Sequence, residues 1–426
     1  PMPCPAWSMV LGCVVSREIR RDQPSPCDHN KWNRSQPVST HIGDGIRSCA
    51  RMCYALVRFT ILFSYTAHRT QRPWQGAQES PTGTKLALYD SRCYLCPGNM
   101  RATGVQNDVY ESTFVFENDY AALKPEEHFK QPTGSDIAGK IFAEKPARGR
   151  CYVLCFNPRH DLALAQLTTS PFSAETHIVP VVRAWQKLYK DIVAENPFVQ
   201  YIQFFENKGA AMGCSNPHPH GQVWSLDYVP DEPARELQSQ RDFALDPSNA
   251  DVQGARDAQG RPSLLLEYAY LELSMPDRPR VVSLNEDFVA VVPYWAVWPF
   301  ELLVLPYRRV IPSIAELKES EVATFAAILG EVTCRYDNLF KTAFPYSMGI
   351  HQSPVPGSDE TAVLHVHFFP PLLRSATVRK FQVGYVFFVT YLHSFEMMAE
   401  PQRDITAESA AARLAACDTV HYLHAS

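Results

Sequence analysis

Residues Phe205–Trp224 read FENKGAAMGCSNPHPHGQVW, and the rest of the chain is organised around them. The run before, Tyr201–Phe205 (YIQFF), is apolar and aromatic and predicts a strand. Gly209, Gly213 and the Asn216–Pro217 step then mark a loop whose backbone amides can approach a ligand closely and suit phosphate oxygens. Pro219 disfavours helix on both sides, so His218–Trp224 is expected to run extended. Alternate residues of an extended segment share a face. His218, His220 and Gln222 therefore stand side by side next to the glycine-rich loop. A single histidine would most simply be a surface or satisfied core residue. A His-x-His-x-Gln run beside such a loop points to chemistry instead. A neutral imidazole is a nucleophile near neutral pH. It can attack phosphorus to give a labile phosphoramidate, and a neighbouring amide can donate to the phosphoryl oxygens as charge builds there.

This stretch resembles the active-site segment of the galactose-1-phosphate uridylyltransferase family, part of the histidine-triad superfamily. The resemblance continues in Arg69–Ala77 (RTQRPWQGA), Cys93–Asn99 (CYLCPGN), Phe116–Asp119 (FEND) and Pro293–Glu301 (PYWAVWPFE). It extends through Arg335–Phe340 (RYDNLF), Phe344–Gly349 (FPYSMG) and Pro370–Phe381 (PPLLRSATVRKF), so it covers the chain from about residue 68 onward.

Composition bounds the rest. The chain has 426 residues, 46% hydrophobic and 20% charged, enough for two domains and a sizeable core. A net charge of −5 argues against binding to nucleic acid or to an anionic membrane surface. No apolar run reaches the length of a membrane span. The short apolar stretch Met9–Val15 lacks a preceding basic residue, so no secretory leader is expected. Twelve cysteines in a chain of this size, with a Cys-x-x-Cys pair and many histidines, suggest reduced thiols and metal rather than disulfides, and a cytoplasmic location.

Residues 1–60 hold five of the cysteines without helical or strand periodicity and are expected to form a divergent, disordered N-terminal segment. Val57–Thr66 is a candidate strand, followed by Arg69 and Arg72, whose forked donors match phosphate oxygens. Cys93 and Cys96 are half of a metal site. Phe114–Phe116 and Cys151–Phe156 read as strands, 173–195 as an amphipathic helix with Val181, Val182, Trp185 and Leu188 at helical spacing. The polar stretch 231–262 opens as a helix and becomes a loop, which sets a domain boundary there: 61–236 and 237–426. A second round follows, with a helix near 264–272, strands at 289–293 and 302–306, and a long helix over 313–341. His365 and His367 repeat the i, i+2 pattern of His218 and His220, with a phenylalanine where the amide donor would stand, so the second copy is expected to be unsuited to nucleophilic work. Thr406–Ala416 predicts a helix with a capping-box start.

What the resemblance implies is an α+β fold of two histidine-triad-like domains, each an antiparallel sheet flanked by helices. It implies UMP exchange between UDP-glucose and galactose 1-phosphate in galactose metabolism (the Leloir pathway), by a ping-pong route through a uridylyl-histidine at His220 assisted by Gln222. Arg69 and Arg72 would hold the diphosphate, Asn118, Asp119 and Asn207 the nucleotide, and Gly213, Cys214 and Ser215 the phosphoryl group. Lys380, Phe381, Val383, Tyr385, Glu396 and Gln402 would hold the hexose phosphate. Zinc would sit on Cys93, Cys96, His160 and His218, and iron or a second zinc on Glu236, His351, His365 and His367. The resemblance also implies a homodimer. Ten residues, Val386–Phe395, separate Tyr385 from Glu396 where the family has none, which leaves open an alternative: a UDP-sugar-binding protein whose activity that insert has removed. A related nucleotide enzyme, a dinucleoside-polyphosphate phosphorylase or an adenylyl-transferring homologue, is a competing reading, disfavoured by the length of the matching motifs.

Overall fold

The computed structural model describes residues 86–125, 147–214, 216–355, 359–371, 378–381, 384–387 and 405–424, with backbone alone in 378–381 and 384–387. Nine strands form one antiparallel sheet: β1 (Phe114–Glu117), β2 (Gly149–Cys155), β3 (Tyr201–Lys208), β4 (His220–Leu226), β5 (Val281–Leu284), β6 (Phe288–Val291), β7 (Leu302–Pro306), β8 (Tyr346–His351) and β9 (His365–Phe369). Their order is β1-β2-β4-β3-β8-β9-β7-β6-β5. Four strands come from the first half of the chain and five from the second. The halves meet edge to edge where β3 pairs with β8, from Phe204↔Ile350 to Lys208↔Tyr346. A separate hairpin pairs β10 (Val378–Phe381) with β11 (Gly384–Phe387).

Alternation along the strands decides what each face meets. Ile202 and Phe204 of β3, Val223 of β4, Ile350 of β8 and Phe368 of β9 belong to one large core. Helices α1 (Val179–Glu195), α4 (Glu319–Phe340) and α5 (Ala407–Ala415) cover that face with Trp185, Phe325, Leu329 and Leu414. Helix α1 is kept in place by its apolar stripe (Val181, Val182, Trp185, Leu188, Ile192), and its last turn is closed by Asn196, whose Nδ2 donates to the Ile192 carbonyl. It begins later than its sequence pattern suggests, because Ser173 caps a separate single turn, Ala174–His177. Helix α4 likewise starts at 319, after a 3-10 turn at Ile314–Glu316. At α5 the expected capping box is only half present. Thr406 Oγ1 accepts from the Ser409 N–H, but the third position is Ser409, and Glu408 pairs with Arg280 instead.

The opposite face is covered in sections. Over β6 and β7, helix α3 (Leu264–Ser274) buries Leu265, Leu266 and Ala269 against Val289, Val291, Leu303 and Leu305. Helix α2 (Asp231–Leu245) places Glu236 among its buried residues. Over β2, the Cys93–Cys96 turn packs against Val153 and Cys155. Between these covers lie β4 and β3, whose half-buried residues include His220, Gln222, Phe205 and Asn207.

The two halves are related strand by strand. Val153 pairs with Gln222 as Leu303 pairs with His367, and Phe205 pairs with Gln222 as Gly349 pairs with His367. Register alone fits either match of the two His-x-His runs, but His365 opens β9 as His220 opens β4, and each places Nδ1 beside the carbonyl two residues before it, so His365 is matched to His220 and His367 to Gln222. This shifts the sequence repeat by two residues: the place of the amide donor is held by His367, not by a phenylalanine. One row of residues runs Gln222, Phe205, Gly349, His367 across three strand spacings, about 14 Å at roughly 4.8 Å each.

Candidate active site and metal centres

The loop after β3 turns at Gly209, where φ is +88° and an added Cβ would meet Pro345 Cβ at 2.9 Å. It closes on itself through a 3-10 turn at Ala210–Met212 and a bond from the Cys214 N–H to the Gly209 carbonyl. Asn216 Oδ1 accepts from the His218 N–H at 2.9 Å, setting the chain on its extended course. At Gly221 the strand runs hard against its neighbours: a Cβ there would lie 3.0 Å from the Phe205 carbonyl oxygen and 2.9 Å from Phe156 Cζ.

His220 Nδ1 lies 2.7 Å from the His218 carbonyl. A carbonyl only accepts, so Nδ1 carries the proton and Nε2 keeps its lone pair. Burial pushes the imidazole pKa down, which keeps the ring neutral. Nε2 has no partner among the described residues. The ring lines a cleft of about 290 Å³ with Phe205, Asn207, Gly213, Cys214, Gly221 and Gln222. Gln222 Oε1 accepts from Asn118 Nδ2 at 3.5 Å, which leaves the Gln222 amide nitrogen as a donor. Asn207 Oδ1 accepts from the Ser347 hydroxyl at 2.6 Å, with the same result. The cleft therefore offers one nucleophilic nitrogen and two neutral N–H donors.

Asn118 also accepts from the Tyr120 N–H, the turn role its sequence suggests. Asp119 pairs with Arg101 at 3.3 Å, each side chain 12% exposed, and the guanidinium sits 4.3 Å over the Phe116 ring. Arg101 and Tyr110 carry no motif of their own and escape sequence reading, and Ser347, within the FPYSMG stretch, gives no sign there that it meets Asn207. Arg69, Arg72, Ser215, Val383, Glu396 and Gln402 lie outside the described residues, as do Val57–Thr66 and residues 388–395. Lys380 and Tyr385 are register partners in the β10–β11 hairpin, Phe381 pairs with Gly384, and Val386 and Phe387 continue β11.

Cys93, Cys96, His160 and His218 are all buried, with one ligand atom of each within 4.8 Å of the others. His218 Nε2 lies 2.9 Å from the Asn157 carbonyl and 3.1 Å from the Tyr110 hydroxyl, so it is the protonated nitrogen. Nδ1 then turns its lone pair toward Cys96 Sγ, 3.5 Å away, and His160 Nδ1 lies 3.6 Å from the same sulfur. Burial pushes the Cys96 thiol up to about 11 and His218 down to about 4. Two sulfurs and two imidazole nitrogens converging in this way fit a tetrahedral metal.

A second cluster comprises Glu236, His351, His365 and His367, again within 4.8 Å. His351 and His365 are direct cross-strand partners on β8 and β9, and Glu236 reaches them from α2. His351 Nδ1 contacts Glu236 Oε2 at 2.6 Å. His365 Nδ1–H donates to the Val363 carbonyl, leaving Nε2 with a lone pair. That atom and His367 Nε2 are buried without hydrogen-bond partners, although they lie 3.4 and 3.6 Å from the Glu236 carboxylate. Burial pushes the Glu236 carboxyl up, but the three imidazoles, His351 foremost, overcome it and hold it well below the usual range. Two orphaned nitrogens aimed at one carboxylate are what a cation would satisfy.

Comparison with known proteins follows this geometry. Residues 44–230 match the galactose-1-phosphate uridyl transferase N-terminal domain and residues 249–426 its C-terminal domain. The galactose-1-phosphate uridylyltransferase of Kluyveromyces lactis is 45% identical over 367 residues, covering 84% of this chain and 90% of that protein. The Haemophilus influenzae protein of the same name is 44% identical over 356 residues, covering 83% and 91%. A solved uridylyltransferase structure shares the fold, with a TM-score of 0.59 at 24% identity over 77% of this chain and 91% of that one. No helix among the described residues is long and apolar enough to cross a membrane. Matching domains across both halves, and relatives this similar over nine-tenths of their length, establish that the chain belongs to the galactose-1-phosphate uridylyltransferase family.

Proposed function

We propose that His220 is the nucleophile through which this family member exchanges UMP between UDP-glucose and galactose 1-phosphate. The chain is a UDP-glucose–hexose-1-phosphate uridylyltransferase of galactose metabolism. The observation that carries the His220 assignment is the lone pair on Nε2, held toward the cleft by the bond from Nδ1–H to the His218 carbonyl. Nε2 attacks the α-phosphorus of UDP-glucose. The bond to the bridging oxygen breaks, and glucose 1-phosphate leaves with the electron pair. A phosphate oxygen of galactose 1-phosphate then attacks the uridylyl-histidine and restores the free imidazole with UDP-galactose as product. Nδ1 keeps its proton throughout, so the same hydrogen bond stabilises the charge that spreads into the ring. Splitting the exchange into two displacements replaces one hard step by two easier ones.

Gln222 and Asn207 supply neutral donors to the phosphoryl oxygens, where removing one typically costs on the order of 100- to 1000-fold in rate. Gly213, Cys214 and Ser215 form the loop beside the phosphoryl group, but the Gly213 and Cys214 N–H groups already donate to the Ala210 and Gly209 carbonyls and are not free donors. Arg69 and Arg72 hold the diphosphate, and Asn118 and Asp119 orient the uridine. Lys380, Phe381, Val383, Tyr385, Glu396 and Gln402 receive the hexose phosphate. We assign zinc to Cys93, Cys96, His160 and His218, where it would supply a rigid cross-link. These residues hold His218 in place and with it the carbonyl that sets the His220 tautomer. Iron or a second zinc is assigned to Glu236, His351, His365 and His367. The boundary between halves is placed at 236/237, and the working form is a cytoplasmic homodimer.

Intact-protein mass after incubation with UDP-glucose alone tests the proposal. The expected result is a gain of one uridylyl group, lost on adding galactose 1-phosphate and absent in His220→Asn. A variant lacking His220 that still gains the group, or a turning-over wild type that never does, would overturn the covalent route.

A further inference from the structure

We infer that Ser347, which reaches into the first half from the second, is a positioning residue that fixes the direction of the Asn207 amide. Asn207 and Ser347 are direct cross-strand partners on β3 and β8, the two strands that join the halves. The Ser347 hydroxyl donates to Asn207 Oδ1 at 2.6 Å, and both side chains are half-buried. An asparagine amide is nearly symmetric in shape and opposite in polarity at its two ends. Left alone at the cleft wall, it could present either Oδ1 or Nδ2 to a bound anion. A serine hydroxyl can donate to Oδ1 or accept from Nδ2; here it donates to Oδ1, which leaves Nδ2 for the space that His220, Gly213 and Gln222 also line, and an acceptor-only phosphate in that space favours the same orientation. A phosphate oxygen is an acceptor only. The wrong end of the amide would place two acceptors in contact, and the right end makes a donor bond.

Ser347 is therefore placed to affect nucleotide binding without touching the nucleophile. Its other neighbour across the sheet is Phe369, paired with it on β9, whose ring stacks on His367 at 5.4 Å. The residue thus stands between the cleft and the second histidine cluster. The inference rests on the reading of Asn207 as a nucleotide-binding residue.

The test uses the full chain in four forms: wild type, Ser347→Ala, Asn207→Ala and the double variant. Steady-state kinetics with UDP-glucose give KM and kcat separately, and thermal unfolding is measured in parallel. Losing one hydrogen bond that orients a donor corresponds to about a 3- to 10-fold effect. We expect Ser347→Ala to raise KM for UDP-glucose by that factor, with the melting temperature unchanged. Ser347→Thr keeps the hydroxyl on a strand-compatible side chain and restores KM. In the Asn207→Ala background the Ser347→Ala change has no further effect. An Asn207→Ala variant with raised KM beside an unaffected Ser347→Ala variant overturns the positioning role alone. An Asn207→Ala variant with wild-type kinetics overturns the Asn207 reading, and the Ser347 role with it. A KM loss in Ser347→Ala that adds in full to that of Asn207→Ala also overturns it, since the serine would then act elsewhere.

Discussion

Replacing Lys208 by methionine tests whether the strand that carries Asn207 depends on a buried ion pair behind it. Lys208 Nζ lies 2.7 Å from Asp337 Oδ1, with the two side chains 9% and 3% exposed. Asp337 comes from α4, accepts from the Phe344 N–H at 2.8 Å, and approaches His421 Nε2 at 3.2 Å. One carboxylate thus ties β3, α4, the turn before β8 and the C-terminal segment together. Deleting the lysine leaves that carboxylate buried and short of its cation. Breaking a buried pair on one side costs about 3–5 kcal/mol, against about 0–1 kcal/mol for an exposed pair. Lys187–Asp191 is such an exposed pair, 77% and 43% accessible, and serves as the control. Urea unfolding followed by tryptophan fluorescence reads the change, since Trp185 is buried in the main core. Lys208→Met should lose about 3–5 kcal/mol. Adding Asp337→Asn should recover part of it, because the stranded charge goes too. The reasoning fails if Lys208→Met stays within about 1 kcal/mol of wild type, as the control should. It fails equally if the double variant loses the plain sum of the two single losses.

Three further outcomes are expected. Burial pushes the Glu206 carboxyl up from 4.5 to about 7, with Lys208 opposing, and its Oε2 accepts from the Tyr346 hydroxyl. The native state therefore keeps a proton the unfolded chain has released. The stability this adds is full below the unfolded value and is lost as pH rises through about 7. Glu206→Gln should gain on wild type between about pH 5 and pH 8, by on the order of 3 kcal/mol at the limit; identical pH slopes for the two proteins would count against it. Gln222→Ala should lower the rate of uridylyl incorporation by about 100- to 1000-fold while leaving the melting temperature near wild type, and a variant that is fast, or that is slow only because it unfolds, contradicts the donor role. Metal analysis of purified protein should find two bound ions per chain, one lost in Cys96→Ser and the other in Glu236→Gln; a variant that keeps both ions refutes the ligand set it was designed to break.

Much of the site was legible because its signals are local. His218, Pro219, His220 and Gln222 declare an extended run with a shared face, and the glycines around 209–213 declare the loop beside it. Cys93 and Cys96 announce half a metal site within four residues. Other features were not legible, because they depend on which strands become neighbours. Nothing local says that Ser347 lies opposite Asn207, or that Asp119 answers to Arg101. The sequence repeat is matched two residues out of step because where each strand opens is not written locally. Pattern matching pairs His-x-His with His-x-His, whereas the place where each strand opens and the Nδ1 contact made there match His220 with His365 and Gln222 with His367. Helix ends also escaped where a short 3-10 turn or a serine cap interrupts a continuous apolar stripe, as before α1 and α4.

The corrected match explains how one backbone position serves two chemistries. His220 and His365 each open a strand, and each directs Nδ1–H at the carbonyl two residues before it. Both therefore aim a lone pair on Nε2 away from the sheet. What differs is the cover. Over His365 lies Glu236 of α2, with His351 and His367 beside it, so the lone pairs converge on a buried anion and suit a cation. Among the described residues no helix closes over His220, the neighbours are the neutral amides of Asn207 and Gln222, and the lone pair meets an open cleft. A carboxylate in that cleft would repel a phosphoryl group, and a pair of further imidazoles would trap a metal where the substrate must enter. Neutral donors are what an incoming phosphodiester requires. The identity of two neighbours and the presence of one covering helix are what would separate the proposed nucleophile from the proposed ligand.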